Sequence, residues 1–158
     1  MFVRLCAALL FVASPLLAQD TQVGFGGGAH DTSAPVEVAA DNLEIDQTSG
    51  RAVLTGNVVI AQDDMRLSAN RVVVDYAETG GERRIDRVNA TGNVIIVAGP
   101  DAAEGQEAVY VLGTAEILMR GDVLITQGGS TLAGDQLAVN LQSGAGTVTG
   151  RVRTTLQP

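Results

Sequence analysis

One block of sequence occurs twice in this chain, and the repeat constrains the fold more than any other feature. The first copy, LTGNVVIAQDDMRLSANRVVVDY, spans residues 54–76, and the second, MRGDVLITQGGSTLAGDQLAVNL, spans residues 119–141. A glycine, a glutamine and four aliphatic residues recur at an offset of 65 positions. Each copy contains two alternating apolar runs joined by a short polar turn, which predicts a β-hairpin. Neither copy carries a catalytic side chain.

Short runs rich in Val, Ile and Leu continue from Val36 to the end of the chain, separated by Gly, Asn, Asp and Ser. No segment after Pro35 shows the 3.6-residue period of a helix over three turns. The connections are too short for crossover helices, so the sequence predicts an all-β domain with mostly antiparallel pairing. The predicted strands are 36–46, 51–62, 65–76, 84–98, 107–112, 115–127, 131–141 and 146–156.

Four glycines interrupt the long apolar runs, at Gly56, Gly92, Gly121 and Gly150. A glycine inside a strand marks a bulge or a bend. Four stacked bends predict one long curved sheet that is folded over on itself. A closed barrel and a parallel β-helix are the alternatives, although the spacings of 36, 29 and 29 residues argue against a strict solenoid.

The N-terminal residues are typical of a secretory signal peptide, with Arg4 before an apolar run and Ala18 before the predicted cleavage site. We expect residues 1–18 to be removed; a retained anchor is the alternative. Residues 19–34 are Gly-rich and predict a flexible leader. The β domain is then expected over residues 35–156.

The charge pattern excludes several classes of function. The chain has no lysine, and without Arg4 nine arginines face 18 acidic residues, a net charge of −9. An acidic chain with 3% aromatic residues lacks the basic face and stacking platforms of a nucleic-acid binder. Together with the export signal, this composition indicates a periplasmic protein.

The sequence offers little material for catalysis, metal binding or cofactor binding. The only histidine, His30, lies in the leader, and the only cysteine, Cys6, lies in the signal peptide. Residues 24–29 match a dinucleotide-binding glycine pattern, but no strand or helix is predicted around them. Asp63–Asp64 is interpreted as a hairpin turn, with a calcium site as the alternative. We therefore predict no catalytic residue, no metal and no cofactor.

A pair of carboxylates could serve sugar hydrolysis, and four acidic residues are candidates. All four lie at predicted strand ends or turns, where solvated acids are ordinary. They are Asp41, Glu44, Asp46 and Asp75.

Four elements in this order, PVEVAADNLEID, LTGNVVIAQ, RLSANRVVVDY and LAGDQLAVNL, resemble the OstA-like domain of the LptA family of periplasmic lipopolysaccharide-transport proteins. The likeness covers about residues 35–156 and rests on alternating A-(D/N)-x-(L/V)-x-(I/V) and L-x-G-(N/D)-V elements. It implies a folded-over antiparallel β-jellyroll whose open apolar groove holds the acyl chains of lipid A. It also implies homologous LptC-type and LptD-type domains as partners, and head-to-tail self-association. The lack of lysine, the few aromatics and the Gly-rich leader depart from the family pattern.

Strand alternation and this resemblance together select a set of inward-facing residues as the lipid-contacting lining. They are Val36, Val38, Leu43, Ile45, Val58, Ile60, Leu67, Val72, Val74, Val94, Ile96, Val123, Ile125, Leu132, Leu137 and Val139. The same alternation is also what any dry β core requires.

The two end strands are predicted to be open edges to which another chain can add. The assembly residues are Val36, Glu37, Val38, Ala39 and Ala40 at one edge and Thr147, Val148, Thr149, Val152 and Thr154 at the other. Alternatively, the charges of Glu37, Arg151 and Arg153 blunt these edges and keep the protein monomeric. Two other functions stay open: a secreted structural or adhesive β protein, and a polysaccharide-acting β-helix enzyme.

Overall fold

The computed structural model of the chain describes residues 21–27, 30–31 and 33–157. The predicted signal peptide and its cleavage site lie outside these residues. The described part contains strands and turns, and within it no helix is long and apolar enough to cross a membrane. The strands are β1 (Thr21–Gly24), β2 (Val36–Ala39), β3 (Asn42–Asp46), β4 (Arg51–Gln62), β5 (Met65–Thr79), β6 (Glu82–Ala98), β7 (Asp101–Val111), β8 (Glu116–Gln127), β9 (Ser130–Asn140), β10 (Ala145–Thr149) and β11 (Arg153–Thr155).

All described strands belong to one antiparallel sheet. From β4 to β10 each strand pairs with its neighbours in sequence, as expected of strands joined by short turns. At one end of the sheet both β2 and β3 pair with β4. At the other end β1 pairs with β10, while β11 pairs with β9. The order is that of an open meander, so the predicted all-β antiparallel fold is confirmed and the barrel and β-helix alternatives are wrong.

The sheet bends at the predicted glycines. The strand registers shift on passing Gly56, Gly92 and Gly121, and β10 ends just before Gly150. Each of these glycines has a φ between +76° and +85°, and the residue after it also lies in the left-handed region. A side chain from the preceding turn or neighbouring strand packs over each glycine: Asp41, Asn70, Gln106 and Asp135. At Gly56 and Gly92 the packing residue belongs to an A-(D/N) element, which explains why this element accompanies the G-(N/D) element at these two corners.

The bend line divides the sheet into two halves that face each other. Half A carries the turns at 47–50, 80–81, 112–115 and 141–144, and half B carries the turns at 63–64, 99–100 and 128–129. The buried residues of both halves form one hydrophobic cluster. The Tyr110 hydroxyl of half A donates a hydrogen bond to the Gln62 side-chain oxygen of half B at 3.3 Å. The open sheet is therefore folded along the bend line, and its two halves pack face to face.

Two predicted strands are interrupted and one is longer than predicted. The expected strand 36–46 breaks at Ala40 and Asp41 into β2 and β3, and the expected strand 146–156 breaks after Thr149. The segment 99–105 was predicted as a turn, but β7 already begins at Asp101. Its small residues fit because Ala103 is 1% exposed, packed under the facing half of the sheet.

The flexible leader predicted for residues 19–34 is wrong for its described part. Residues Thr21–Gly24 form β1, with Thr21 opposite Val148 and Gly24 opposite Ala145. Phe25, the next residue, is 3% exposed and belongs to the core. The folded domain therefore begins upstream of the predicted boundary at Pro35.

Candidate functional site: an apolar trough between the two halves

Half A contributes a continuous apolar row to the interior. Strand register places inward-facing residues of successive strands side by side, perpendicular to the strand direction. Every member of the main row is exposed by 3% or less. In sheet order the row is Leu54, Val72, Ala90, Ala108, Met119, Leu137 and Val148.

Half B contributes the facing row. Its members are exposed by 7% or less. In sheet order this row is Ile60, Leu67, Ile96, Ala103, Ile125 and Leu132. The two rows enclose an elongated apolar interior, here called the trough, that runs across the strands from β2 and β3 to β1 and β11.

The trough is open at its β2–β3 end. Val38 extends the half B row beyond Ile60, and Leu43 extends the half A row beyond Leu54. Val38, Leu43 and Ile45 are 47%, 53% and 65% exposed because no described strand lies beyond them. Exposed aliphatic side chains at the end of a core row form a ready apolar contact surface.

The opposite end of the trough contains a cavity of about 310 Å³. It lies between β1 and β11, over Ile125 and Leu132 of the half B row. Val23 and Leu156 complete its apolar wall. Apolar surface is thus accessible at both ends of the same interior.

The structure separates the predicted lining residues into two groups. Val36 is partly buried, and Val38, Leu43 and Ile45 lie at the open mouth. The remaining twelve are 0–7% exposed: Val58, Ile60, Leu67, Val72, Val74, Val94, Ile96, Val123, Ile125, Leu132, Leu137 and Val139. In this conformation side chains fill the middle of the trough, so the groove is accessible at its ends rather than along its whole length.

Several inward residues were missed by the sequence reasoning. Leu54 and Ala52 alternate with outward residues in β4, and Ile117 and Met119 do the same in β8. The period-2 pattern was visible at all of these positions. Ala52 is hard to recognise from sequence, because a small apolar residue gives a weak burial signal by itself.

The predicted assembly edges are only partly open. Val36, Glu37, Val38 and Ala39 in β2 have β4 as their one neighbouring strand in the sheet path; Ala40 follows the strand. At the other end Thr147 and Val148 pair with β1 as well as β9, so the prediction that they are an open edge is wrong. Thr149 pairs with Gln136 of β9, and Val152 is partly buried. Thr154 lies in β11, whose one described neighbour is β9.

The chain segment after β1, Phe25–Gly27 and His30–Asp31, here called the crossing segment, contacts the turns of both halves. On the half A side the Phe25 amide donates to the Gly144 carbonyl at 2.8 Å, and the His30 amide donates to the Leu141 carbonyl at 3.2 Å. On the half B side the Gly26 amide donates to Asp101 Oδ2 at 2.7 Å. The crossing segment therefore lies over the long seam where the two halves meet.

The seam also contains a buried polar cluster beneath the crossing segment. His30 and Gln62 are 8% and 3% exposed, and the His30 Nε2 atom lies 3.4 Å from Gln62 Oε1. The same oxygen accepts the hydrogen bond from Tyr110. Burial raises the pKa of the Tyr110 hydroxyl above 10.0, because the phenolate would lose its hydration.

Three of the four candidate carboxylates for sugar hydrolysis form local hydrogen bonds or ion pairs. Asp41 accepts a hydrogen bond from the Asn57 side chain at 2.8 Å, in the corner over Gly56. Asp46 accepts hydrogen bonds from the Ser49 side chain and from the backbone amides of Ser49 and Thr48, in the turn that follows β3, and these bonds lower its pKa. Asp75 pairs with Arg51 at 2.8 Å, and Glu44 lies on β3. The four acids lie in a corner, beside a turn and on two strands, and they do not converge on one cleft.

A second apolar depression, of about 520 Å³, lies on the outer face of half A. Val109, Leu118 and Ala138 line it and alternate with the buried residues of the trough. Arg87 and Glu116 frame it. This depression is separated from the trough by the thickness of the sheet.

Comparison with known proteins agrees with this architecture. Residues 37–145 match the family described as LptA/(LptD N-terminal domain) LPS transport protein. An uncharacterised protein of Rhizobium meliloti is 30% identical over 156 residues, covering 93% of this chain and 84% of its own. The lipopolysaccharide export system protein LptH of Pseudomonas aeruginosa is 26% identical over 135 residues, covering 81% of this chain and 77% of its own. The lipopolysaccharide export system protein LptA of Escherichia coli K12 is 25% identical over 134 residues, covering 81% and 70%.

The solved structures include the same fold. The crystal structure of LptH, described as the LptA homologous periplasmic component of the lipopolysaccharide transport device of Pseudomonas aeruginosa, superposes with a TM-score of 0.73 at 22% identity. It covers 82% of this chain and 99% of LptH. The relatives with assigned names are transport proteins rather than enzymes. On the family match, the repeated corner elements and the shared β-jellyroll, this chain belongs to the LptA/(LptD N-terminal domain) family of lipopolysaccharide transport proteins.

Proposed function

We propose that this chain is a periplasmic carrier that holds the acyl chains of lipid A in the trough and passes lipopolysaccharide from the inner toward the outer membrane. The observation that carries the proposal is the continuity of the two apolar rows from an exposed mouth at β2 and β3 to a cavity between β1 and β11. A core that served packing alone would gain nothing from leaving Leu43 and Ile45 more than half exposed.

Burial of acyl chains supplies enough free energy for capture. Each methylene transferred from water to an apolar interior gains about 0.8 kcal/mol. A chain of about a dozen carbons therefore gains several kcal/mol after ordering costs. Because the middle of the trough is filled, acyl chains enter at the exposed mouth and the two halves move apart as the chains advance. In this proposal the energy for directional movement comes from a partner.

We further propose that copies of the chain join end to end, and that LptC-type and LptD-type domains dock on its ends. Among the described residues, β2 and β3 have no neighbouring strand on their outer side at one end of the sheet, and β11 has none at the other. Such edges accept an added strand. Strand addition there would continue the trough from one domain into the next, which suits a bridge between membranes.

A capture experiment tests the lipid proposal. Leu43→Asp with Ile45→Asp places two carboxylates at the mouth while leaving the buried rows intact. The matched control is Ile95→Asp, since Ile95 is 39% exposed but faces outward between the buried Val94 and Ile96. Native mass spectrometry after incubation with lipopolysaccharide should show bound lipid in the parent and the control, and at least a tenfold loss in the mouth variant. Equal lipid binding by all three proteins, or no binding by the parent, would contradict the proposal that lipid binds in the trough.

A sedimentation series tests the assembly proposal. Ala39→Lys adds a charge to the exposed residue at the end of β2. Ala138→Lys adds the same charge to an exposed residue of β9, a strand with neighbours on both sides. The parent and Ala138→Lys should form larger species as concentration rises, and Ala39→Lys should not. A parent that stays monomeric at every concentration and binds no homologous domain would contradict the edge proposal.

A further inference from the structure

The turn between β4 and β5 lies against the only histidine of the chain. His30 Nδ1 lies 3.2 Å from Asp64 Oδ1 and 3.8 Å from Asp63 Oδ2. The histidine side chain is 4% exposed, whereas the two aspartates are 41% and 49% exposed. One buried ring nitrogen therefore faces two carboxylates that are open to solution.

The hydrogen-bond partners of this histidine favour one tautomer. The Gln62 amide nitrogen donates to the Ala34 carbonyl at 3.1 Å, which turns Gln62 Oε1 toward His30 Nε2 and the Tyr110 hydroxyl. A carbonyl oxygen only accepts hydrogen bonds, so this contact favours the tautomer with the hydrogen on Nε2. The lone pair of a neutral His30 then points from Nδ1 at two carboxylate oxygens. The Asp31 backbone amide already donates a hydrogen bond to Asp63 Oδ2 at 3.0 Å. In this tautomer His30 Nδ1 and Asp64 Oδ1, 3.2 Å apart, are both acceptors and repel each other unless a positive species lies between them.

We propose that His30, Asp63 and Asp64 bind a divalent metal ion of the zinc class. Ligand atoms about 2.1 Å from a tetrahedral zinc ion are about 3.4 Å from one another, a spacing that the two observed distances bracket. The three ligand atoms lie within 4.8 Å of one another. An imidazole nitrogen among the ligands favours zinc over calcium or magnesium, which prefer oxygen ligands alone.

The surroundings have two features expected of such a site. Nε2 of the ligating histidine is held by a second polar group, Gln62, as is usual for metal-bound histidines. Both aspartates occupy a two-residue hairpin turn between two long strands, so their backbone positions are fixed before an ion arrives. The net charge of −8 also favours cations near the surface.

The ion would fasten the crossing segment across the seam. His30 belongs to that segment and its amide bonds to half A, whereas Asp63 and Asp64 belong to half B. A bound ion therefore joins the segment to half B at the point where the two halves must part. This consequence rests on the proposed function of the trough, but metal binding itself does not.

Zinc titration of the untagged protein tests the site. Isothermal titration calorimetry should give one zinc ion per chain for the parent. His30→Gln and Asp64→Asn should each weaken zinc binding by at least tenfold, while Glu104→Gln, which alters an outward-facing exposed carboxylate on β7, should bind as the parent does. No stoichiometric binding, or binding that His30→Gln leaves unchanged, would overturn the site.

Hydrogen exchange tests the fastening. With zinc at 100 times its dissociation constant, the amides of Gly26, His30 and Asp31 should exchange about 100-fold more slowly in the parent, if opening requires release of the ion. The His30→Gln protein should show no such change. Zinc binding without slower exchange in this segment would overturn the fastening role while the metal site stands. Lipopolysaccharide capture measured with and without zinc separates both results from failure of the carrier proposal.

Discussion

The corner at Gly56 gives a direct measure of what holds the two halves of the sheet at their bend. Gly56 has a φ of +77°, and the Asp41 side chain packs over its Cα atom. A Cβ atom added at Gly56 would lie 2.5 Å from Asp41 Oδ2 and 2.9 Å from Asp41 Cβ. We predict that Gly56→Ala destabilises the fold through two separable effects.

The first effect is backbone strain, since a left-handed conformation costs a non-glycine residue about 1–2 kcal/mol. The second is the clash with Asp41, for which overpacking in a fixed environment costs about 1–3 kcal/mol. The two together predict a loss of about 2–5 kcal/mol in the free energy of unfolding. Gly80 isolates the first effect, because its φ is +63° and an added Cβ would meet no atom within 4 Å.

Urea unfolding followed by circular dichroism measures both quantities. Gly80→Ala should lower the free energy of unfolding by about 1–2 kcal/mol, the cost of the conformation alone. In an Asp41→Gly background, where the clash is absent, Gly56→Ala should fall to the same cost. If Gly56→Ala costs no more than Gly80→Ala, or costs the same in both backgrounds, the packing of Asp41 over the glycine does not define the corner.

Three further predictions concern the seam and the surface. Phe25→Ala should lower the free energy of unfolding, measured in urea, by about 3 kcal/mol, because it removes a core side chain that is 3% exposed. A change below about 0.5 kcal/mol would show that Phe25 belongs to a flexible leader and not to the core. In a Tyr76→Phe protein, where Tyr110 is the one remaining tyrosine, alkaline titration should show Tyr110 ionising above pH 10.0. The free energy of unfolding should fall as the pH rises above that value, because the folded state holds this proton more tightly than the unfolded state does. Ionisation at the ordinary pH of a tyrosine would refute the burial argument. The Arg151 guanidinium hydrogen-bonds Asp135 and lowers its pKa, so Arg151→Ala should raise the Asp135 pKa toward 3.8 in a carboxyl NMR titration. The ion pair stabilises the fold above pH 3.8, and this contribution is lost as the pH falls below that value. In Arg151→Ala the contribution should be absent. An unchanged dependence of the free energy of unfolding on pH below 3.8 would count against the pair.

Much of the fold could be predicted because each strand carries its own pattern. The predicted strand 51–62 has the observed bounds of β4, and the corner glycines lie where the registers shift. Alternation also placed Val58, Val72 and Val94 on the inward face, where they are fully buried. Side-chain period and backbone freedom are local properties, so they can be recognised before any partner strand is known.

The ends of the trough could not be predicted in the same way. Leu43 and Leu54 have the same inward direction, but one is 53% exposed and the other 3%. The difference arises because Leu54 has strands on both sides and Leu43 lies at the edge. Exposure at an edge depends on which strand comes last, and this follows from the whole sheet order.

The sequence alone determined that this chain forms antiparallel strands with one apolar face and a repeated bend. Only the tertiary structure decided that Thr21–Gly24 returns to the sheet beside β10, more than 120 residues away, and that His30 meets Asp63 and Asp64. A four-residue strand in a Gly-rich segment has too little local preference to form by itself. Its stability comes from backbone partners and buried neighbours that distant parts of the chain provide, and a one-dimensional pattern does not contain those contacts.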